Sequence, residues 1–122
     1  MIAIIDYGVG NLFSLKSSLA AIGREAVVTG DRAVLRAASH VILPGVGAFG
    51  DAAARLRAAG MAEAVLEAAA AGKPVLGICL GMQLLLERSF EYGEHPGLGL
   101  IPGEVRPIRD VIPAGLAVPH MG

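Results

Sequence analysis

The succession of short apolar runs and helical segments predicts an α/β fold, in which a mostly parallel sheet is flanked by helices in three layers. Four short apolar runs, each followed by a helical pattern, occupy the first 86 residues, and this alternation is typical of a parallel sheet. The runs are apolar throughout, as expected for strands that are covered on both faces. A length of 122 residues fits a single domain.

The strands and the first helix follow from local patterns. The predicted strands are Ile2–Ile5, Ala26–Thr29, His40–Leu43 and residues 75–78. Apolar residues at three- and four-residue spacing predict a helix over residues 12–22, with Asn11 as its N-cap.

The other helices are predicted between and after these strands. Residues 31–38 are expected to form a short helix or turn. Residues 52–71 are rich in alanine and are predicted to be helical, with Asp51 as the cap and a break near Gly60. A further helical pattern covers residues 82–86. In the final quarter of the chain, frequent glycine and proline predict a loop followed by one or two short strands.

Composition narrows the classes of function. With 54% hydrophobic and 17% charged residues the chain is expected to fold. A net charge of −1 gives no electrostatic basis for binding nucleic acid or an acidic membrane surface. The single cysteine excludes an internal disulfide and suits a reducing compartment, so a cytoplasmic protein is expected.

A cysteine flanked by glycines is the strongest catalytic candidate. Gly77, Cys79 and Gly81 form a G-x-C-x-G motif at a predicted strand-to-helix junction, which has the form of a nucleophile elbow. Glycine is expected at both flanks because a side chain there would collide with neighbouring backbone. The helix N-terminus favours the thiolate, and the N–H of Leu80 is placed to stabilise an oxyanion. Without these glycines, a lone cysteine is usually a small buried hydrophobic residue.

A glycine-rich loop after the third strand is the second candidate. Residues 44–47 read Pro-Gly-Val-Gly, and such a loop can turn its amides toward one point to form an anion nest. Beside Cys79 the loop would supply a second oxyanion donor. A simple turn that ends the strand explains the same residues equally well.

The three histidines do not indicate a general base, and the first glycine pair does not indicate a dinucleotide-binding site. His40 is expected to be structural and His95 exposed, and His120 has no context that marks it as a general base. Gly8-Val9-Gly10 resembles the start of a dinucleotide fingerprint, but Phe13 stands where a third small residue is needed. We therefore expect no cofactor and no metal.

Five segments spread along the chain share a family likeness. They are IDYGVGNL (5–12), LPGVGAFG (43–50), GICLGMQLL (77–85), GLGLIPG (97–103) and PHMG (119–122). Together they resemble the glutamine amidotransferase subunits of imidazole glycerol phosphate synthase, which are class I (triad) amidotransferases of histidine biosynthesis. The cysteine segment alone indicates only class I; the first two segments distinguish this subunit from its relatives.

The resemblance implies a class I amidotransferase-like, flavodoxin-like fold and glutaminase chemistry. Cys79 would attack the side-chain amide of glutamine, form a glutamyl thioester and release ammonia. The backbone amides of Leu80 and of Val46 or Gly47 would form the oxyanion hole, in a loop that reorients when the partner is occupied.

The resemblance also implies a substrate site and a partner. Gln83 and Glu91, together with Gly47, match positions that hold glutamine. The partner would be a (β/α)₈ cyclase subunit, which receives ammonia and yields imidazole glycerol phosphate and aminoimidazole carboxamide ribonucleotide. The residues expected at the partner interface are Gly10, Asn11, Pro119, His120 and Met121.

The catalytic His and Glu of the family, and the last strands of its sheet, are expected beyond the matched segment. Residues 1–122 would then be a partial amidotransferase domain, poorly soluble and nearly inactive by itself. Two alternatives are a non-catalytic module that docks on the cyclase, and another cysteine enzyme on a similar sheet, either a class I relative or a peptidase-like protein.

Overall fold

In the computed structural model, which describes residues 1–108, four parallel strands form the main sheet. In spatial order they are β2 (Ala26–Thr29), β1 (Ile2–Ile5), β3 (His40–Leu43) and β4 (Val75–Gly77). The register places Ile4 of β1 between Val28 of β2 and Ile42 of β3. The parallel sheet is confirmed, and three of its four strands have the predicted bounds; β4 ends one residue early.

Helices cover both faces of this sheet, which confirms the three-layer prediction. The helices are α1 (Leu12–Ala21), α2 (Arg32–Ala37), α3 (Phe49–Ala58), α4 (Met61–Ala70) and α5 (Leu80–Leu84). Successive strand residues point to opposite faces, so Ala3 and Ile5 join the larger core with α2 to α5. Ile4 and Ile42 face the other way, toward Leu15 and its neighbours on α1.

The observed first residues of α1 and α3 can be compared with the two predicted N-caps. Asn11 caps α1 as predicted, because its side chain accepts a hydrogen bond from the Ser14 N–H at 3.2 Å. The prediction that Asp51 caps the next helix is wrong, since α3 begins two residues earlier, at Phe49, whose side chain is fully buried. Asp51 instead lies in the first turn and pairs with Arg55 at 3.1 Å.

Gly60 breaks the long alanine-rich helical pattern, as predicted. It adopts a left-handed conformation, with φ 74°, between α3 and α4, and this region favours glycine.

A second, smaller sheet follows α5; two of its three strands lie in the final stretch where one or two short strands were predicted, and the third was not predicted. β5 (Leu86–Ser89) pairs with β6 (His95–Pro96) antiparallel and with β7 (Ile101–Val105) parallel. The helix predicted over residues 82–86 is therefore wrong at its end, because Leu86 pairs with Ile101 instead of continuing α5. This long-range pairing overrides the local helical pattern. Along residues 1–108, no helix is long and apolar enough to cross a membrane.

Candidate active site

Cys79 lies in a strained turn between β4 and α5. Its backbone has φ 55° and ψ −123°, a conformation that is costly for a residue with a side chain. Cys79 and Tyr92 are the two residues other than glycine with positive φ in the described part of the chain. The Cys79 side chain is exposed. A strained turn that presents the sulfur to solvent matches the predicted nucleophile elbow.

The glycines on both sides of Cys79 are required by close backbone contacts. A Cβ atom at Gly77 would lie 2.6 Å from the Cα of Met82. A Cβ at Gly81 would overlap the carbonyl oxygen of Leu43 at the end of β3. Backbone atoms cannot move aside as a flexible side chain can, so the geometry agrees with the collision predicted at both positions.

The loop after β3 lies directly against this elbow. A Cβ at Gly45 would be 2.8 Å from the backbone nitrogen of Gly81, so the two segments touch through their backbones. The N–H of Leu80 donates a hydrogen bond to the carbonyl of Gly45 at 3.3 Å. In this conformation the amide expected to bind an oxyanion is therefore already occupied.

The outer half of the same loop is open. Val46 is 58% exposed, and a Cβ at Gly47 would meet nothing within 4 Å. Gly47 has φ 95°, which a residue with a side chain adopts only at a cost. The amides of Val46 and Gly47 therefore belong to a segment that is free of the close contacts found at Gly45.

The turn after β1 supports the inner half of the loop. The hydroxyl of Tyr7 donates a hydrogen bond to the carbonyl of Pro44 at 2.6 Å. A Cβ at Gly10 would lie 3.1 Å from the Cβ of Pro44. Burial raises the pKa of Tyr7 to about 12. The turns after β1, β3 and β4 thus meet at the carboxyl edge of the sheet, where ligands bind in open α/β folds.

Of the three residues expected to hold glutamine, Gly47 lies in the loop after β3, and the other two lie on α5 and just after β5. Gln83 is half-buried on α5, one turn beyond Cys79. Glu91 is half-buried just after β5, and its N–H donates to the Ser89 hydroxyl oxygen at 3.1 Å.

The structure gives neither His40 nor His95 as the general base. His40 lies at the opposite, amino edge of the sheet, with its Nδ1 2.8 Å from the Ser39 hydroxyl. His95 is half-buried rather than exposed, because its ring packs against Gly50 of α3. Within residues 1–108, Cys79 Sγ takes part in no side-chain hydrogen bond, and no cluster of three metal-ligating side chains occurs.

The expected partner surface is described only in part. Asn11 is exposed, and Gly10 is half-buried against Pro44. The other predicted interface residues, Pro119, His120 and Met121, lie outside the described residues.

Two corrections concern the turn after β1 and the start of α1. Phe13 is 82% exposed, so position 13 is not the point of close helix–strand approach that the fingerprint comparison assumed. The contact of Tyr7 with Pro44 was missed. The alternation of β1 could have indicated it, because residue 7 falls on the same face as Ala3 and Ile5.

The parallel sheet and the cysteine elbow agree with the class of glutamine amidotransferases, and comparison with known families gives the same class. The family model of the CobB/CobQ-like glutamine amidotransferase domain matches residues 2–110. The chain therefore belongs to this family of glutamine amidotransferase domains.

Similar sequences narrow the comparison. The chain is 54% identical to the imidazole glycerol phosphate synthase subunit HisH of Sulfurimonas denitrificans, over 100% of this chain and 59% of that protein. It is 50% identical to HisH of Wolinella succinogenes, over 100% of this chain and 60% of that protein. The resemblance to this subunit is confirmed, since about half of the aligned residues are identical. The chain spans about three-fifths of the length of these relatives.

Solved structures support the fold. A crystal structure of a glutamine amidotransferase matches 87% of this chain and 56% of that chain, with a TM-score of 0.73 and 23% identity. A putative peptidase E from Listeria monocytogenes matches 82% of this chain and 62% of that chain, with a TM-score of 0.66 and 16% identity. At these identities the likeness shows the fold alone.

Proposed function

We propose that this chain carries the nucleophile of a glutaminase subunit of imidazole glycerol phosphate synthase. The observation that carries the proposal is the elbow at Cys79, a strained turn that exposes the sulfur beside a glycine loop. Identity of 50% or more with two HisH subunits along the whole chain supports the same reaction.

The proposed reaction proceeds through a thioester. The thiolate of Cys79 adds to the side-chain carbonyl carbon of glutamine, and the negative charge on the oxygen is received by backbone N–H groups of Leu80 and of Val46 or Gly47. The C–N bond then breaks, and the leaving nitrogen takes up the proton that the Cys79 thiol had given to the general base, so that ammonia is released. Water cleaves the thioester to glutamate and regenerates the thiol, so glutamine and water give glutamate and ammonia. Gln83 and Glu91 are proposed to orient the substrate.

The loop must change conformation before this hole can act. The carbonyl of Gly45 occupies the N–H of Leu80 in the present structure, and it places a negative dipole where the oxyanion would form. The open surroundings of Gly47 leave room for the adjoining peptides to rotate. A ligand that favours the rotated form would activate the enzyme by shifting this equilibrium.

The turn formed by residues 6–11 is proposed as the route from the partner to the loop. Tyr7 and Gly10 both contact Pro44. A cyclase subunit bound at this turn would therefore act on residues 44–47, called here the oxyanion loop. Ammonia would pass to that subunit in the cytoplasm, in a heterodimer. The proton acceptor for Cys79 is proposed to be the His that the resemblance expects, together with a Glu, beyond the segment that it matches.

The proposal is tested by glutamate release from glutamine, with and without the cyclase and its nucleotide ligand. We expect no turnover from the 122-residue chain, and cyclase-dependent turnover from a polypeptide extended to the length of its relatives. The matched control is Cys79→Ser in the extended polypeptide, which should bind the cyclase and release no glutamate. Cyclase binding without turnover by the unsubstituted extended protein would favour a docking module, and turnover by Cys79→Ser would exclude the thioester route.

A further inference from the structure

The hydroxyl of Tyr7 is buried at the base of the oxyanion loop. Residue 7 continues the alternation of β1, so its ring enters the larger core together with Ala3 and Ile5. Tyr7 is only 6% exposed. Its hydroxyl donates to the carbonyl of Pro44, 37 residues away in sequence, at 2.6 Å. A buried bond at this distance is costly to break, because the carbonyl would lose its partner away from water.

Two consecutive carbonyls of the loop therefore accept hydrogen bonds of different strength. The carbonyl of Pro44 is held by a hydroxyl within the core, whereas the carbonyl of Gly45 accepts the weaker 3.3 Å bond from Leu80. A Cβ at Gly45 would lie 2.9 Å from the Tyr7 hydroxyl oxygen and 2.8 Å from the Gly81 nitrogen. The start of the loop thus fits tightly between Tyr7 and the cysteine elbow.

We infer that Tyr7 is a positioning residue for the glutaminase reaction: by fixing the Pro44 carbonyl it confines rotation of the loop to the peptides from Gly45 to Gly47. Rotation of those peptides releases the Leu80 N–H and presents the amides of Val46 and Gly47 beside Cys79. Without the hydroxyl, the Pro44–Gly45 peptide can also rotate, and the loop spends less time with its donors correctly placed. This inference rests on the proposed glutaminase function.

The test compares two reagents that modify Cys79 in the polypeptide extended to the length of its relatives, with the cyclase subunit bound. A chloroketone derived from glutamine presents a carbonyl oxygen to the oxyanion hole, whereas iodoacetamide alkylates the thiolate by direct displacement and makes no such demand. The variant is Tyr7→Phe, which keeps the ring and removes the hydroxyl. The matched control is Tyr92→Phe, since Tyr92 is 81% exposed. Rates are followed by mass spectrometry of the intact chain.

We expect Tyr7→Phe to lower the ratio of chloroketone to iodoacetamide rates by about tenfold, as follows from losing a buried hydrogen bond of about 1.4 kcal/mol. The iodoacetamide rate itself should not change, and Tyr92→Phe should match the wild type in both rates. A purely structural role for Tyr7 would affect both reagents alike. A folded Tyr7→Phe chain with an unchanged ratio would overturn the inference alone.

Failure of the proposed function would look different. If the unsubstituted chain reacts with the glutamine chloroketone no faster than with a chloroketone that lacks the amino acid group, Cys79 is not directed to glutamine. That result would overturn the function and, with it, the role of Tyr7.

A second measurement needs no variant and remains decisive if Tyr7→Phe does not fold. NMR of the wild-type chain should show the Tyr7 hydroxyl proton protected from exchange both before and after chloroketone labelling, while the amides of residues 45–47 shift. Loss of that protection on labelling would mean that the Pro44 carbonyl moves with the loop, which contradicts the inference.

Discussion

The cysteine elbow and the oxyanion loop are both rich in glycine, but they use it for opposite purposes. Gly77 and Gly81 lack side chains because backbone atoms of other segments occupy the space. Gly47 stands in open surroundings, and only its φ of 95° favours glycine. In the elbow glycine permits close packing, whereas in the outer loop it permits a backbone conformation.

This difference distinguishes the proposed nucleophile from the loop that is proposed to stabilise the oxyanion. The position of Cys79 is determined by contacts between the elbow and β3, which exist whenever the sheet is folded. The proposed oxyanion donors depend on a loop whose inner end is held by Tyr7 and whose outer end makes no close contact at Gly47. A glutaminase built this way can keep its nucleophile in place and still be regulated through the loop.

The largest expected effect comes from filling the space at Gly81. Gly81→Ala places a Cβ on the Leu43 carbonyl oxygen, so we expect a loss of at least about 4 kcal/mol in the free energy of unfolding. Urea denaturation followed by circular dichroism measures it. Gly47→Ala is the matched control and should cost only about 1–2 kcal/mol, the penalty for a left-handed backbone. Equal losses at the two positions would remove the distinction between them.

Relief of the strain at Cys79 should have a smaller effect of opposite sign. Cys79→Gly removes the penalty of φ 55° without losing a buried side chain, and it should exceed Cys79→Ala in unfolding free energy by about 2 kcal/mol. Urea midpoints of the two variants give the comparison, and both should be inert to the glutamine chloroketone. A Cys79→Gly chain no more stable than Cys79→Ala would show that the elbow is not strained.

The smallest expected effect is a pH dependence from Tyr7. Its pKa is raised from 10.0 to about 12 by burial, so between these values the folded chain retains a proton that the unfolded chain has lost. Stability must therefore fall as pH rises from 10 toward 12. By pH 11 the loss should be about 1 kcal/mol relative to pH 9.

The control for this pH effect is the Tyr7→Phe chain, which has no phenol to titrate at that position. Urea midpoints at pH 9 and pH 11 should decline less in Tyr7→Phe than in the wild type. Parallel declines would mean that the phenol ionises equally in both states and that its burial has no such consequence.

Much of the fold could be predicted because the main sheet is encoded locally. Each of its strands is a short apolar run, and Gly60 and Asn11 mark helix boundaries by their own conformational preferences. Strand β5 and the pairing of the second sheet could not be predicted in this way. Leu86 looks like one more apolar residue of a helix until Ile101 is known to pair with it.

The candidate site likewise has a part that is encoded locally and a part that depends on contacts between distant segments. The flanking glycines of Cys79 indicated an elbow because the requirement for small residues there lies within five consecutive positions. The hydrogen bond from Leu80 to Gly45 joins positions 35 residues apart, and it depends on how closely two loops approach in the folded chain. Sequence therefore indicated the elbow at Cys79 and the neighbouring loop, but not that the Gly45 carbonyl occupies the N–H of Leu80.

The most direct test of this account is a crystal structure of the chain with Cys79 modified by the glutamine chloroketone. We predict that the ketone oxygen accepts a hydrogen bond from the Leu80 N–H and that the Gly45 carbonyl has moved away. Cys79 should keep its positive φ, and Tyr7 its bond to Pro44. A modified chain in which Gly45 still occupies Leu80, or in which the elbow itself has rearranged, would contradict the separation of a fixed nucleophile from a movable oxyanion loop.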